Sequence, residues 1–192
     1  MKTVWTRDEI SIADELMSLA PKLIEEFLNY HKDFDTTFSK GLSYGAGNPL
    51  AILDENEKAK WKVEGLRYSL PEQRIEHNLF LDETTEKNFP TAAALTKKYH
   101  KECGCSGYSI LESGGVIKPH VDIENRSRKT IRIHIPLIIP ETGCSFDVDG
   151  NKLEWNDLFG FDNGVLHSAQ NQSDKRRLIY IIDITKAFLG IK

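Results

Sequence analysis

The chain has 192 residues, 40% of them hydrophobic and 28% charged, with a net charge of −4 and a pI near 5.9. That length fits one domain with a full core, and the acidic balance argues against a nucleic-acid footprint. No uncharged apolar run approaches a membrane span, Met1 to Glu9 reads as no signal peptide because acidic residues precede any apolar core, and three cysteines make no disulfide framework, which suits a reducing cytoplasm.

The first third is helical in pattern. Thr6 followed by Glu9 is a T-x-x-E capping box, and Ile12, Leu16, Leu19 and Leu23 lay one apolar stripe along the helix it would start. Pro21 predicts a kink or the start of a second helix. His31 falls where the helix should end and reads as a solvated helix-end residue. From Thr36 to Pro49, with Gly41, Gly45 and Gly47, the chain turns to loop chemistry. Gly45-Ala46-Gly47 lacks the preceding strand and following helix of a phosphate loop. Trp61 to Leu70 reads as a strand-pair edge and His77 to Leu81 as a short apolar run. Pro90 to Tyr99 reads as a helix, with Pro90 in its first turn and Lys97 and Lys98 at the negative end of its dipole. Gly104 closes it. Cys103 and Cys105 form a C-x-C pair, but no second pair stands at zinc spacing, so both read as structural.

Beyond Gly104 the composition changes to short β-branched runs. Tyr108–Glu112, Val116–Asp122, Thr130–Ile139, Ser145–Val148, Lys152–Trp155, Asp157–Phe161 and Leu178–Ile184 read as strands, and many short strands suggest a sandwich or barrel. Asp149-Gly150 is a hairpin signal. Asp147, Asp149 and Asn151 imitate the start of a calcium loop, but Lys152 and Leu158 occupy the positions that need glycine and glutamate.

The chemistry gathers in this half. His120 and Asp122 are two apart on an expected strand, so they would project from one face. With His167, 47 residues on (167 − 120), they make a 2-His-1-carboxylate set of the kind that binds non-haem Fe(II) and leaves positions open. Arg132 and His134 alternate with isoleucines in Ile131-Arg132-Ile133-His134-Ile135. Burying that cation and imidazole is costly unless something anionic or hydrogen-bonding meets them, and a bound dicarboxylate would. Arg177, ten residues after His167 (177 − 167), leads into an apolar strand.

As an ordered set these residues resemble the Fe(II)/2-oxoglutarate dioxygenases, and among them the aspartyl/asparaginyl β-hydroxylase-like family. The resemblance runs from about Tyr108 to Ile184. Ser109, P-H-x-D at Pro119 to Asp122, I-R-I-H-I-P-L at Ile131 to Leu137, F-D-N-G-x-x-H-S at Phe161 to Ser168, and Arg177 carry it. It implies His120, Asp122 and His167 as ligands to Fe(II), with Arg177 holding a carboxylate of 2-oxoglutarate. Ser109, Arg132 and His134 match further polar residues around that cosubstrate. O2 would be consumed and succinate and CO2 released, with hydroxyl delivered to a C–H bond. Halogenating relatives replace the carboxylate ligand with a small residue, so Asp122 argues for hydroxylation.

The expected fold is mainly β with N-terminal helices. Residues 1–105 would form a helical buttress with loops, and residues 106–186 a double-stranded β-helix (jelly-roll, cupin-like) core, in one catalytic domain over 1–192. The expected substrate is a small molecule, a free, carrier-linked or peptidyl amino acid, with Tyr44, Arg67 and Trp155 as candidate contacts. The rival expectation is a metal-binding cupin-like protein that is no oxygenase, such as an isomerase or a small-molecule sensor. Arg132 and Arg177 separate the two, because a non-oxygenase has no need for a cationic slot beside its metal.

Overall fold

Strands that alternate two kinds of side chain present two different faces, and here both faces are covered. The computed structural model describes residues 1–32, 34, 42–43, 60–70, 75–77, 83–122, 125 and 127–191. In chain order the elements are β1 (Val4–Thr6), α1 (Ala13–Tyr30), β2 (Leu42–Ser43), β3 (Trp61–Leu70), β4 (Ile75–His77), α2 (Glu83–Asn88), α3 (Pro90–Lys98), β5 (Cys103–Leu111), β6 (Gly115–His120), β7 (Thr130–Ile138), β8 (Cys144–Val148), β9 (Asn151–Leu153), β10 (Phe159–Phe161), β11 (His167–Asn171), β12 (Arg177–Thr185) and α4 (Lys186–Leu189). A large antiparallel sheet runs β1-β10-β7-β12-β5-β3-β2, with β4 on β3, and a smaller one runs β6-β11-β8-β9. The two make a double-stranded β-helix, as the sequence leads one to expect.

Strand β12 shows how the sequence chooses its faces. Leu178, Tyr180, Ile182 and Ile184 join Ile131, Ile133 and Ile135 of β7 and Tyr108 and Ile110 of β5 in a core that Leu16, Leu23 and Phe27 of α1 and Ala92 and Leu95 of α3 cover. Ile179 and Ile181 point the other way, into the barrel. There they meet Leu111, Ile117, Phe146, Val148, Ala169 and the rings of Trp155, Phe159 and Phe161. Each fully buried Leu, Ile or Phe contributes about 1.5–3 kcal/mol, so shifting β12 by one residue would exchange both cores at once. The same alternation turns Arg177 and Asp183 inward from β12, Arg132 and His134 from β7, and Ser109 from β5.

The helices are fastened to this sheet by a buried carboxylate. Glu26 accepts from the N–H of Thr91 at 2.7 Å and of Ala92 at 2.9 Å, so a side chain of α1 satisfies free donors at the start of α3. Tyr108 donates its hydroxyl to the same carboxylate at 2.7 Å.

Several local expectations are corrected. Pro21 starts no second helix; α1 runs through it for 18 residues, with Leu16, Ala20, Leu23 and Phe27 on its buried face. Glu9 does cap Thr6, accepting its N–H at 3.0 Å, but the turn it closes is a three-residue 3-10 helix ahead of α1. His31 is fully buried, not solvated: it lies among the rings of Phe27, Tyr30 and Phe89, with Nε2 3.1 Å from Glu64. Asp149-Gly150 is the hairpin turn, both residues at positive φ, joining β8 to β9. Gly41, Gly45, Gly47, Pro49 and Tyr44 lie outside the described residues, as do the side chain of Arg67 and most of the run from His77 to Leu81. Among the described residues no helix is long and apolar enough to cross a membrane.

Candidate metal centre

The centre is built where two strands end side by side. His120 is the last residue of β6 and His167 the first of β11, and the sheet register places them directly opposite each other. Their rings stand 4.2 Å apart. Asp122 is not on the strand, as the two-residue spacing suggests, but just beyond it. Its position is set by the chain crossing it: the N–H of Asp122 donates to the carbonyl of Asn163 at 3.0 Å. One donor atom from each of the three side chains lies within 4.8 Å of the others, the one such group among the described residues.

Each of the three side chains is oriented from behind. His120 Nδ1 donates to the carbonyl of Lys118 at 2.7 Å, and His167 Nδ1 to that of Val165 at 2.9 Å. With the proton fixed on Nδ1, both rings turn an Nε2 lone pair toward Asp122, the arrangement a metal-ligating histidine takes. Asp122 Oδ1 stands 3.4 Å from His120 Nε2 and 3.8 Å from His167 Nε2. Its Oδ2 accepts from Arg132 Nη1, and from Asn163 Nδ2 at 3.0 Å. Burial alone would raise the Asp122 pKa. The charge of Arg132 and the imidazoles outweigh it and hold the carboxyl well below the ordinary carboxylate range. Burial pulls His167 down to about 4, whereas Asp122 more than offsets the burial of His120 and raises it. Two imidazoles that turn Nε2 toward an ionised carboxylate make an oxygen- and nitrogen-donor set for a divalent transition ion.

The cleft beside them is lined by Trp61, Ser109, Arg132, His134, Arg177, Ile179, Ile181 and the ring of Phe146, with a free volume of about 30 Å³. The four residues expected around a cosubstrate, Ser109, Arg132, His134 and Arg177, all line this space. Arg177 is 1% exposed. Its Nη2 donates to Ser109 Oγ at 3.1 Å, its guanidinium lies 4.8 Å over the Trp155 ring, and its Nε has no hydrogen-bond partner. No carboxylate meets it among the described residues, and burial lowers its pKa to about 10. Ser109 Oγ also accepts from Trp61 Nε1 at 3.1 Å. His134 takes a hydrogen bond on Nδ1 from Trp155 Nε1 at 3.1 Å. Burial, then the charges of Arg177 and Arg132, hold its pKa well below the ordinary histidine value, so it is neutral with its proton on Nε2.

Arg132 departs from the expectation that a bound dicarboxylate would meet it. Its Nε and Nη2 donate to the two oxygens of Asp183 at 2.7 and 2.9 Å, and Nη1 to Asp122. The protein itself supplies the carboxylates, and the residue stands on the Asp122 side of the cleft. Trp155, a candidate substrate contact, is instead a buried wall behind His134 and Arg177. Sequence reasoning missed Asp183, and gave Asn163 only a turn. Asp183 is six residues from Arg177 on β12 (183 − 177), an even spacing that puts it on the inner face of an otherwise apolar strand. That signal was available. Asn125 had none: it ties Asn163 to Thr130 through tertiary contacts at 2.7 and 3.1 Å.

Comparison with known proteins places this centre in a family. Among solved structures, a non-heme monooxygenase in complex with nickel (ThoJ) aligns over 95% of this chain and 71% of its own, at 13% identity and a TM-score of 0.42. The cupin domain of Schizosaccharomyces pombe Cnp3 aligns over 69% of this chain and 73% of its own, at 14% identity and a TM-score of 0.38. A predicted oxalate decarboxylase from Thermotoga maritima aligns over 47% and 73%, at 16% identity and a TM-score of 0.37. Similarity at this level says nothing of what the chain binds. No curated protein sequence matches it. The family model for aspartyl/asparaginyl β-hydroxylase, by contrast, matches residues 9–187, nearly the whole chain and every residue of the centre. The chain belongs to the aspartyl/asparaginyl β-hydroxylase family.

Proposed function

We propose that the protein is an Fe(II)/2-oxoglutarate-dependent hydroxylase that acts on an unactivated C–H bond of a free, carrier-linked or peptidyl amino acid. His120, Asp122 and His167 would hold the iron, and Arg177 with Ser109 would take the far carboxylate of 2-oxoglutarate. The observation that carries this reading is Arg177: a guanidinium buried in the cleft beside the three ligands, with Nε unpartnered and no protein carboxylate against it among the described residues. A buried cation is costly unless paired, and the planar fork of arginine fits a carboxylate. The non-oxygenase cupin reading gives this residue nothing to do.

Bound iron with 2-oxoglutarate and O2 would supply the oxidising power, with succinate and CO2 as coproducts, a chemistry no side chain offers. The chain's own residues bind and orient. Asp122 supplies a charged oxygen to the metal from Oδ1 while its Oδ2 stays occupied by Arg132 and Asn163. Its presence favours hydroxylation over halogenation. His134 keeps a proton on Nε2, so it can donate a hydrogen bond and cannot compete for the metal through Nδ1. Ile179, Ile181 and Phe146 give the cleft an apolar wall. The free volume has room for two or three waters at roughly 10–15 Å³ each, so seating a five-carbon diacid requires the lining side chains to part. A cytoplasmic location in a single catalytic domain over 1–192 accords with three cysteines, Cys103, Cys105 and Cys144, that form no disulfide.

Aerobic incubation with Fe(II), 2-oxoglutarate and a panel of amino acids and Asp- or Asn-containing peptides tests the reading. Succinate formation should accompany a mass gain of one oxygen in one substrate. Iron bound at the three ligands with no succinate across the panel would favour the metal-binding cupin.

A further inference from the structure

A metal-binding carboxylate in contact with an arginine has a difficulty, because the guanidinium competes with the metal for its negative charge. Asp122 is in that position toward Arg132. Directly opposite Arg132 in the β7–β12 register stands Asp183, itself only 2% exposed. Its two oxygens take Arg132 Nε and Nη2 side by side, a bidentate pair that fixes the plane of the guanidinium. One edge of Arg132 is thereby engaged by Asp183, and Nη1 is aimed at Asp122 Oδ2. Over these three side chains two negative charges face one positive, so one negative charge remains for the site. With Asp183 neutral, Arg132 would cancel Asp122.

We infer that Asp183 is a positioning residue of the metal centre, which aims Arg132 at Asp122 Oδ2 and returns to Asp122 the negative charge that Arg132 would otherwise cancel. Among the described residues its carboxylate is hydrogen-bonded by Arg132 and by none of His120, Asp122 and His167. The inference rests on the metal site proposed above and places Arg132 in its support, in addition to whatever Arg132 does toward a cosubstrate.

Co(II) is the probe, its affinity read by competition with a chelator and its donor set by the absorption bands of the saturated protein. Asp183→Asn keeps the shape and removes the charge. Altering an outer partner of a ligand typically costs about 10–100-fold in metal affinity, and that loss is expected here, with the bands of the saturated variant unmoved because His120, Asp122 and His167 still bind. Asp183→Glu, which restores the charge, should recover part of the loss; a purely structural role would give no such order between the two. If Asp183→Asn does not fold, Arg132→Lys replaces it: the charge stays, but one ammonium cannot span both carboxylates, and Co(II) affinity should again fall at least tenfold. A folded Asp183→Asn, or Arg132→Lys, that binds Co(II) as tightly as wild type would overturn the inference alone. Failure of wild type to bind Co(II), or an Asp122→Ala variant with undiminished affinity, would remove the metal site and the inference together.

Discussion

Two guanidinium groups are buried in one cleft and meet opposite fates. Arg132 is clasped by Asp183 and Asp122, while Arg177 has a serine hydroxyl, an indole face and a bare Nε. An uncompensated buried charge destabilises the fold that holds it. Two results should follow from replacing Arg177. Arg177→Lys should raise the KM for 2-oxoglutarate by roughly 30-fold or more, the equivalent of about 2–5 kcal/mol for a lost buried charge pair, with iron affinity within a factor of about two of wild type. Arg177→Met should melt higher than wild type without ligands, by about 2–4 °C for each 1 kcal/mol gained, while cosubstrate binding is lost. Calorimetry and steady-state kinetics on the same preparations check both signs. In the sequence the two arginines look alike, each a cation in an apolar strand. What separates them is Asp183, 51 residues from Arg132 and brought to it only by the pairing of β7 with β12.

At the scale of elements, the site depends on two chain reversals that hold one another. The turn after β10 carries Asp162, Asn163 and Gly164, and the segment after β6 carries Asp122 and Asn125. Asn125 Nδ2 donates to Asn163 Oδ1, and Asn163 Nδ2 in turn to Asp122. Buried Asp162 draws in Arg128 Nε at 2.8 Å and Lys186 Nζ at 2.9 Å. Gly164 is what lets these segments touch: a Cβ there would stand 2.5 Å from the carbonyl oxygen of Asn125. Gly164→Ala should therefore cost about 1–3 kcal/mol in stability, as overpacking does, and also weaken metal binding, because Asn163 and His167 lie on either side of it. Thermal melts and Co(II) titration check the pair of effects; a lower Tm with unchanged affinity would uncouple the turn from the centre. The long apolar strands β7 and β12 were legible because burial on both sides writes near-continuous β-branched runs. Strand β5 instead holds mostly small residues, starts at Cys103 ahead of the expected Tyr108, and contains Gly104, which closes no helix because α3 already ends at Lys98. Strand β11 was not legible. Its residues, His167-Ser168-Ala169-Gln170-Asn171, are small or polar, and it is a strand because β6 and β8 pair with it on either side. Asp122 was placed on a strand by spacing alone, whereas tertiary hydrogen bonds put it where it is.

For the molecule as a whole, the histidines set the response to pH. Metal-free, His134 in the fold binds protons well below the ordinary 6.5, and His167 does so at about 4. Between pH 6.5 and 4 the unfolded chain therefore holds protons that the native chain lacks, and stability falls as pH falls. His120, with a raised pKa, acts the other way: its contribution is present at low pH and lost as pH rises past 6.5. Two histidines outweigh one, so the apoprotein's Tm should drop from pH 7 to pH 5, and His134→Asn should flatten that drop. A Tm constant over this range would contradict the neutral, Trp155-bonded state of His134. Metal should oppose the effect, adding about 2.7 kcal/mol at a hundredfold excess over Kd.

The central claim is that Arg177 reads the carboxylate of 2-oxoglutarate beside iron held by His120, Asp122 and His167. Its most direct test is an anaerobic titration of 2-oxoglutarate into the Fe(II)-loaded protein, followed by visible absorption. A weak charge-transfer band should rise and saturate in wild type, and Arg177→Met, still loaded with iron, should need at least about 30-fold more 2-oxoglutarate to reach the same band. Wild type that keeps its iron and shows no band at any concentration, or a variant that titrates like wild type, would contradict it.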